Sequence, residues 1–138
     1  MIDIHCHALY GVDAGAKSME ESVAMLSQAK SQGVEAIILT PHYRHGMFEY
    51  PVERIREHFE HLKHQAGTMG VELYIGCEYH VNSRMIEALQ TGRCSSMAGG
   101  DFVLTEYSYD TEYPYICEQT KKLLSYGYIP VMAHVERY

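Results

Sequence analysis

Six residues of types that hold metal ions recur at equivalent places along the chain. They are His5 and His7 in Ile4-His5-Cys6-His7, His42 after Thr40-Pro41, Glu78 after Cys77, Glu106 in Thr105-Glu106-Tyr107, and His134 after Ala133. Each closes or follows a short apolar run. A lone histidine at such a place is more often an ordinary loop residue, and polar residues are common wherever a strand meets a loop. Recurrence at every run is what gives the pattern weight. The His-x-His pair adds to it, because residues i and i+2 of a strand point the same way and both imidazoles can reach one ion. Imidazole and carboxylate donors without thiolate favour Mn, Fe or Zn over a structural zinc knot. Six donors exceed one tetrahedral site, which suggests two ions bridged by a carboxylate. Paired ions of this kind clamp the attacking and leaving oxygens of phosphate-ester hydrolysis.

Other residues that could do chemistry fit less well. His58, His61 and His64 lie at helical spacing, on the face opposite an apolar stripe, and read as a solvated face. A cysteine phosphatase needs arginine six residues after its nucleophile. The residues six after Cys6, Cys77, Cys94 and Cys117 are Val12, Ser83, Gly100 and Leu123, so no cysteine qualifies. No G-x-x-x-x-G-K-[ST] phosphate loop is present. The chain has 12 tyrosines, most of them expected in packing, with Tyr79, Tyr107, Tyr109 and Tyr138 placed near the candidate ligands.

The elements that must position these groups alternate regularly. Ile2–Cys6, Ala36–Thr40, Val71–Cys77, Phe102–Tyr107 and Ile129–Ala133 are apolar runs of strand length. Between them lie helical patterns. Ser18 suits an N-cap, with Glu21 at the capping-box spacing, followed by a stripe of Val23, Leu26 and Ala29 and a helix-ending Gly33. Pro51 suits the first turn of a second helix with the stripe Val52, Ile55, Phe59, Leu62 and Ala66. Shorter helices are expected over Arg84–Leu89 and over Tyr115–Tyr126, the latter closed by Gly127. Strands alternating with helices imply a parallel sheet with right-handed crossovers. The fold class expected is α/β, a partial (β/α) barrel with the ligands at the carboxyl ends of parallel strands. Those ends share one rim, where such folds place their chemistry.

The bulk numbers agree. A length of 138 residues suits one domain, 1–138, and 46% hydrophobic with 21% charged residues is ordinary for a globular protein. The net charge of −7 argues against a nucleic-acid partner, whose footprint would be basic. No apolar run approaches the roughly 18 residues of a membrane span, and the opening residues carry no signal-peptide pattern. A cytoplasmic location with reduced cysteines is therefore expected.

The motifs together bear a family likeness. M-I-D-I-H-C-H (1–7) followed by G-V-D-A-G-A-K-S-M-E-E-S (11–22) resembles the polymerase-and-histidinol-phosphatase (PHP) superfamily, and within it the bacterial capsule-biosynthesis tyrosine phosphatases of the CpsB type. T-P-H-Y-R-H-G-M-F-E (40–49), Gly76-Cys77-Glu78, Thr105-Glu106-Tyr107-Ser108 and V-M-A-H-V-E-R-Y (131–138) extend the resemblance over the whole chain. The resemblance implies a PHP-type barrel with His5, His7, His42, Glu78, Glu106 and His134 as metal ligands, Glu78 bridging. It implies two or three divalent ions per complete site, and Arg137 as the catalytic residue that contacts the substrate phosphate. A guanidinium suits that role, since it grips two phosphate oxygens at once. It further implies removal of phosphate from tyrosines of a partner kinase that controls capsular or exopolysaccharide export, by metal-activated water rather than a cysteine. The alternatives within this resemblance are a PHP-type enzyme acting on a small phosphate monoester, and an inactive metal-binding remnant.

Two departures stand out. Where the family carries Asp-Asp-Gly, this chain reads Asp13-Ala14-Gly15, which removes one donor from a third metal position, with Asp13 one residue away as a substitute. Family members also continue past the His-x-Glu-Arg-Tyr segment with further ligands, so a chain truncated at its C-terminus is expected. About five parallel strands cannot close a barrel that usually needs about seven or eight. An uncovered border strand, such as the one after Gly127, is then expected to favour a homo-oligomer.

Overall fold

The computed structural model describes residues 1–138. Its elements follow the expected alternation: β1 (Ile2–Cys6), α1 (Met19–Ser31), β2 (Ala36–Leu39), β3 (His42–Tyr43), α2 (Val52–Thr68), β4 (Glu72–Ile75), β5 (Glu78–His80), α3 (Met85–Gln90), β6 (Phe102–Glu106), α4 (Tyr113–Ser125) and β7 (Ile129–Met132). Short 3₁₀ turns lie at Met97–Gly99 and Val135–Arg137.

Every strand pair is parallel. One sheet has the order β1-β2-β4 and the other β3-β5-β6-β7. Two short strands lie beyond the expected runs, β3 following β2 after Thr40-Pro41 and β5 following β4 after Gly76-Cys77. Pro41 has no N–H to give the ladder. Thr40 compensates by accepting the Cys6 N–H on its Oγ1 at 3.0 Å, while its own N–H reaches the Cys6 carbonyl at 2.8 Å. Gly76 N–H to Leu39 carbonyl (2.7 Å) and Glu78 N–H to Pro41 carbonyl (3.0 Å) carry the pairing across both breaks. The result is a partial (β/α) barrel, with His42 and Glu78 just past the kinks and facing the same rim as His5, His7, Glu106 and His134.

The helices form for the reasons visible in their sequence, with small corrections. Ser18 Oγ accepts the Glu21 N–H at 3.2 Å, but Glu21 returns its carboxylate to the N–H of Lys17, at 2.7 Å, rather than to the cap residue. Gly33 takes φ +89°, and the bonds Gly33 N–H to Lys30 carbonyl and Val34 N–H to Ala29 carbonyl close a Schellman motif. Pro51 is the N-cap of α2 instead of its first helical residue. The last helix starts two residues earlier than Tyr115, because Pro114 fits its first turn. Val23, Leu26 and Ala29 from α1 pack with Phe59, Leu62 and Ala66 from α2 against Ile37, Leu39 and Leu73 of the first sheet. Leu26, Leu39 and Leu62 are fully enclosed, each contributing roughly 1.5–3 kcal/mol by area removed from water. A second core under β5–β6 joins Tyr79, Val103, Ile116 and Leu123. The four cysteines are free thiols. No helix is long and apolar enough to cross a membrane.

Candidate metal centre

The six expected ligands converge on one open cleft of ≈ 390 Å³, and Arg137 is its seventh lining residue. Glu78 is at the centre and fully buried. Its Oε2 lies 3.0 Å from His5 Nε2, 2.9 Å from His7 Nε2 and 3.3 Å from His42 Nδ1, and its Oε1 lies 2.8 Å from His134 Nε2. Glu106 is the second acidic pole, 3.3 Å from His42 Nδ1 and 3.5 Å from His134 Nε2. Strand geometry accounts for this. His5 and His7 project to one side from the end of β1, and His42 and Glu78 are register partners on β3 and β5. His134 follows β7 in the left-handed conformation, φ +35°, an uncommon state for a residue with a Cβ that turns the backbone toward the cleft.

These donors fit a divalent metal. Ligand bonds of about 2.1 Å in octahedral or tetrahedral arrangement put neighbouring donor atoms about 3–3.4 Å apart. The separations around Glu78, 2.8–3.3 Å, lie close to or just below that value. His5, His7 and Glu78 form one group whose donor atoms could share an ion, and His42, Glu78 and Glu106 form another. Glu78 belongs to both, the position of a bridging carboxylate. The set contains no thiolate, so hard and borderline ions are favoured.

Asp13, expected only as a displaced substitute ligand, has a more definite place. Its Oδ2 accepts His7 Nδ1–H at 3.0 Å and the His42 backbone N–H at 2.9 Å, while Oδ1 accepts the Gly15 N–H at 2.8 Å. This fixes the His7 ring with Nε2 toward Glu78, the carboxylate–imidazole–metal relation of many metal sites. The turn depends on Gly15, where a Cβ would run into the His7 carbonyl. Asp13 also lies close enough to His7 and His42 to share an ion with them, whereas Ala14 is exposed and adds no donor.

The protons of the metal-free site follow from this packing. Burial alone would lower His7 and raise Glu78, but their mutual hydrogen bonds prevail. His7, between Asp13 and Glu78, is raised to about 9. Glu78, facing His5 and His7, is held far below the ordinary carboxylate range. His42 is raised by its hydrogen bond to Glu106. Asp13 is lowered, its bonds to His7, His42 and Gly15 overcoming burial.

Several residues differ from expectation or were not foreseen. His80 approaches Glu106 at 3.5 Å through Nδ1 and Ser108 Oγ at 3.4 Å through Nε2, and no spacing rule singled it out. His61 and His64 are solvated, but His58 is not: it stacks on Tyr10 at 4.3 Å and bonds the Tyr10 carbonyl at 2.8 Å. Tyr79 is buried on the far side of β5, stacked on Tyr43. Tyr138 has a structural task, its hydroxyl accepting the Tyr107 N–H at 2.7 Å and donating to the Tyr107 carbonyl at 3.0 Å. That clip ties the turn bearing His134 and Arg137 to the end of β6.

Known proteins share this arrangement of sequence and fold. The chain is 39% identical to the tyrosine-protein phosphatase CpsB of Streptococcus pneumoniae over 140 residues, covering all of this chain and 58% of that protein. It is 32% identical to the tyrosine-protein phosphatase YwqE of Bacillus subtilis over 139 residues, covering 99% of this chain and 55% of that one. A solved structure from work on YwqE and the S. pneumoniae CpsB, described as unique metal-dependent tyrosine phosphatases, superposes with TM-score 0.89 and 31% identity, over 99% of this chain and 56% of that one. The chain therefore spans somewhat more than half the length of these relatives. Residues 1–138 match the family described as capsular polysaccharide synthesis, CpsB/CapC, and the chain belongs to that family.

Proposed function

We propose that this chain carries the metal-holding and phosphate-gripping part of a protein-tyrosine phosphatase, one PHP-type domain over residues 1–138, acting in the cytoplasm. The substrate is phosphotyrosine on the tyrosine kinase of capsular or exopolysaccharide export. The observation that carries this reading is the convergence of His5, His7, His42, Glu78, Glu106 and His134 on one cleft with Arg137 at its mouth. Membership of a family whose relatives are named tyrosine-protein phosphatases supports the substrate class.

His5, His7, His42, Glu78, Glu106 and His134 would hold Mn, two or three ions in a complete site. Such ions supply Lewis-acid chemistry, neutralising charge on phosphoryl oxygens and acidifying the attacking water. The remaining work belongs to the chain itself. Glu78, ionised and buried, offers one oxygen to each side of the cleft. Asp13 holds the His7 tautomer. Arg137, exposed and in no salt bridge, is free to donate two N–H groups to the phosphate. Cysteine chemistry has no support. Cys6 sits between two ligands, but burial raises its thiol, with Asp3 and Asp13 adding to the shift, and it packs against the first core. The net reaction consumes water, releases inorganic phosphate and leaves the tyrosine hydroxyl of the partner chain restored.

Self-association is part of the reading. β1 and β7 border the two sheets, and Ile2, Ile4 and Ile129 on these strands are exposed. Light scattering that finds a monomer at micromolar concentration would remove this part. The main test is phosphate release from a phosphotyrosine peptide beside histidinol phosphate, with and without Mn²⁺. Mn-dependent turnover of the peptide, exceeding that of histidinol phosphate, is expected. Turnover of the small ester alone, or none of either, would overturn the proposal.

A further inference from the structure

A second cleft of ≈ 510 Å³ adjoins the metal centre. The two share Glu106 and Arg137, so the second continues the first along the rim. Its other cation is Arg44. This guanidinium is exposed, forms no salt bridge and makes no side-chain hydrogen bond, although Asp110 lines the same cleft. Tyr109, 81% exposed, presents an aromatic face there.

Arg44 is not on a loose loop. Arg44 N–H to Phe48 carbonyl (3.1 Å) and Phe48 N–H to Arg44 carbonyl (2.8 Å) pair the two residues across a tight hairpin. Phe48 stacks on the His42 ring at 5.5 Å, so the hairpin is anchored to a ligand of the metal centre. The backbone carrying Arg44 is thereby fixed relative to the place where phosphorus would sit. The protein as a whole carries −7 and repels anions at long range, whereas in this cleft Arg44 and Arg137 offset Glu106 and Asp110 and leave it locally balanced. Arg137 faces the metal centre as well as this cleft, whereas Arg44 faces this cleft alone. A group gripped by Arg44 therefore lies beyond the scissile phosphate, on the peptide that bears it.

We propose that Arg44 is a specificity-determining residue, pairing with a carboxylate that flanks the phosphotyrosine and so favouring acidic phosphopeptides. This rests on the phosphotyrosine reading above. Two fluorescent peptides carrying a non-hydrolysable phosphonate in place of phosphotyrosine separate the two ideas, one with glutamate on both sides of it and one with glutamine. Their dissociation constants are measured by anisotropy with the wild-type chain, Arg44→Gln and Arg44→Lys, all incubated with Mn²⁺. The wild type should prefer the glutamate peptide by about fivefold, the upper range for an exposed ion pair. That preference should fade in high salt. In Arg44→Gln it should fall to less than about twofold, and Arg44→Lys should retain part of it, since lysine keeps the charge but not the fork. Equal binding of both peptides by the wild type, or an unchanged preference in Arg44→Gln, overturns the role of Arg44 and leaves the phosphotyrosine reading standing. Binding of neither peptide overturns both.

Discussion

The two walls of the metal centre are built differently. On the β1 side, His7 and His42 are both tied to one carboxylate, Asp13, which is itself anchored by the Gly15 N–H. On the β7 side, His134 reaches Glu78 with Nε2, but its buried Nδ1 has no hydrogen-bond partner. Its backbone sits at φ +35° and is followed by a short turn held by the Tyr138–Tyr107 clip. The first wall is organised by groups behind the ligands, the second by the path of the chain. Both converge on Glu78, which alone touches every part. Loss of affinity on mutation should therefore be greatest at Glu78, large behind His7, and small behind His134.

Glu78→Ala breaks both walls at once. It removes the shared oxygen pair and leaves four imidazoles around a void. Loss of an outer partner typically lowers metal affinity 10–100-fold, so removal of the central ligand should exceed about 100-fold. Elemental analysis after dialysis against Mn²⁺ would check this. Metal content equal to that of the wild type would mean that Glu78 is not the bridge.

Asp13→Asn tests the organised wall by itself. The amide can still accept one hydrogen bond, but it no longer favours the charge on His7 and can offer an N–H where an oxygen is needed. Metal affinity should fall by about 10–100-fold, the usual effect of losing a carboxylate behind a ligating histidine. Competition with a fluorescent chelator would measure it. An effect as large as that of Glu78→Ala would make Asp13 a direct ligand, which its proximity to His7 and His42 permits.

These two residues also mark how far the sequence could be read. The convergence of the candidate ligands is legible because a parallel sheet forces strand ends onto one rim, so placing His5, His42, Glu106 and His134 together needs only correct strand boundaries. The element order followed from alternating apolar runs and from Ser18, Gly33 and Gly127. Asp13 as an orienting group was not legible, since its role depends on a turn that brings residues 13 and 15 back against His7. The D-x-G spacing was the one available signal, and it was read as a damaged ligand motif. His80 was missed because β5 begins after a kink that no local pattern announced. His58 is misplaced by periodicity because Tyr10, 48 residues away in sequence, covers a face that periodicity alone assigns to solvent.

The protonation of the organised wall gives a third, smaller effect. His7 has both ring nitrogens on carboxylates in the metal-free chain, and its pKa rises from 6.5 to about 9. A raised histidine contributes stability that is fully present below about 6.5 and lost as pH climbs through about 9. The lowered Glu78 contributes stability present above its ordinary 4.5 and lost as acid is added. Metal must displace the His7 Nε2 proton, so affinity should rise with pH from 6.5 toward 9, and loading at neutral pH should release protons. Calorimetry in two buffers of different ionisation enthalpy would count them. Binding without proton release would place His7 outside the ligand set.

Tyr138→Phe should have the smallest effect, and it isolates the other wall. The substitution removes both hydrogen bonds to Tyr107 and keeps the ring, which meets Tyr107 edge-on with centroids 6.0 Å apart. The freed Tyr107 N–H and carbonyl lie at the end of β6, where water can replace part of what is lost. A net loss of about 1 kcal/mol is expected for half-buried hydrogen bonds, lowering the melting temperature by roughly 3–5 °C in a chain of this size. Metal content should stay near that of the wild type, because His134 is aimed by its backbone and by Glu78, neither of which touches the Tyr138 hydroxyl. Arg137 sits one residue from the clip, so any loss in function should appear as weaker phosphate binding rather than as lost metal. Loss of metal in Tyr138→Phe on the scale of Asp13→Asn would show that the β7 wall is held from behind after all, by the clip in place of a carboxylate.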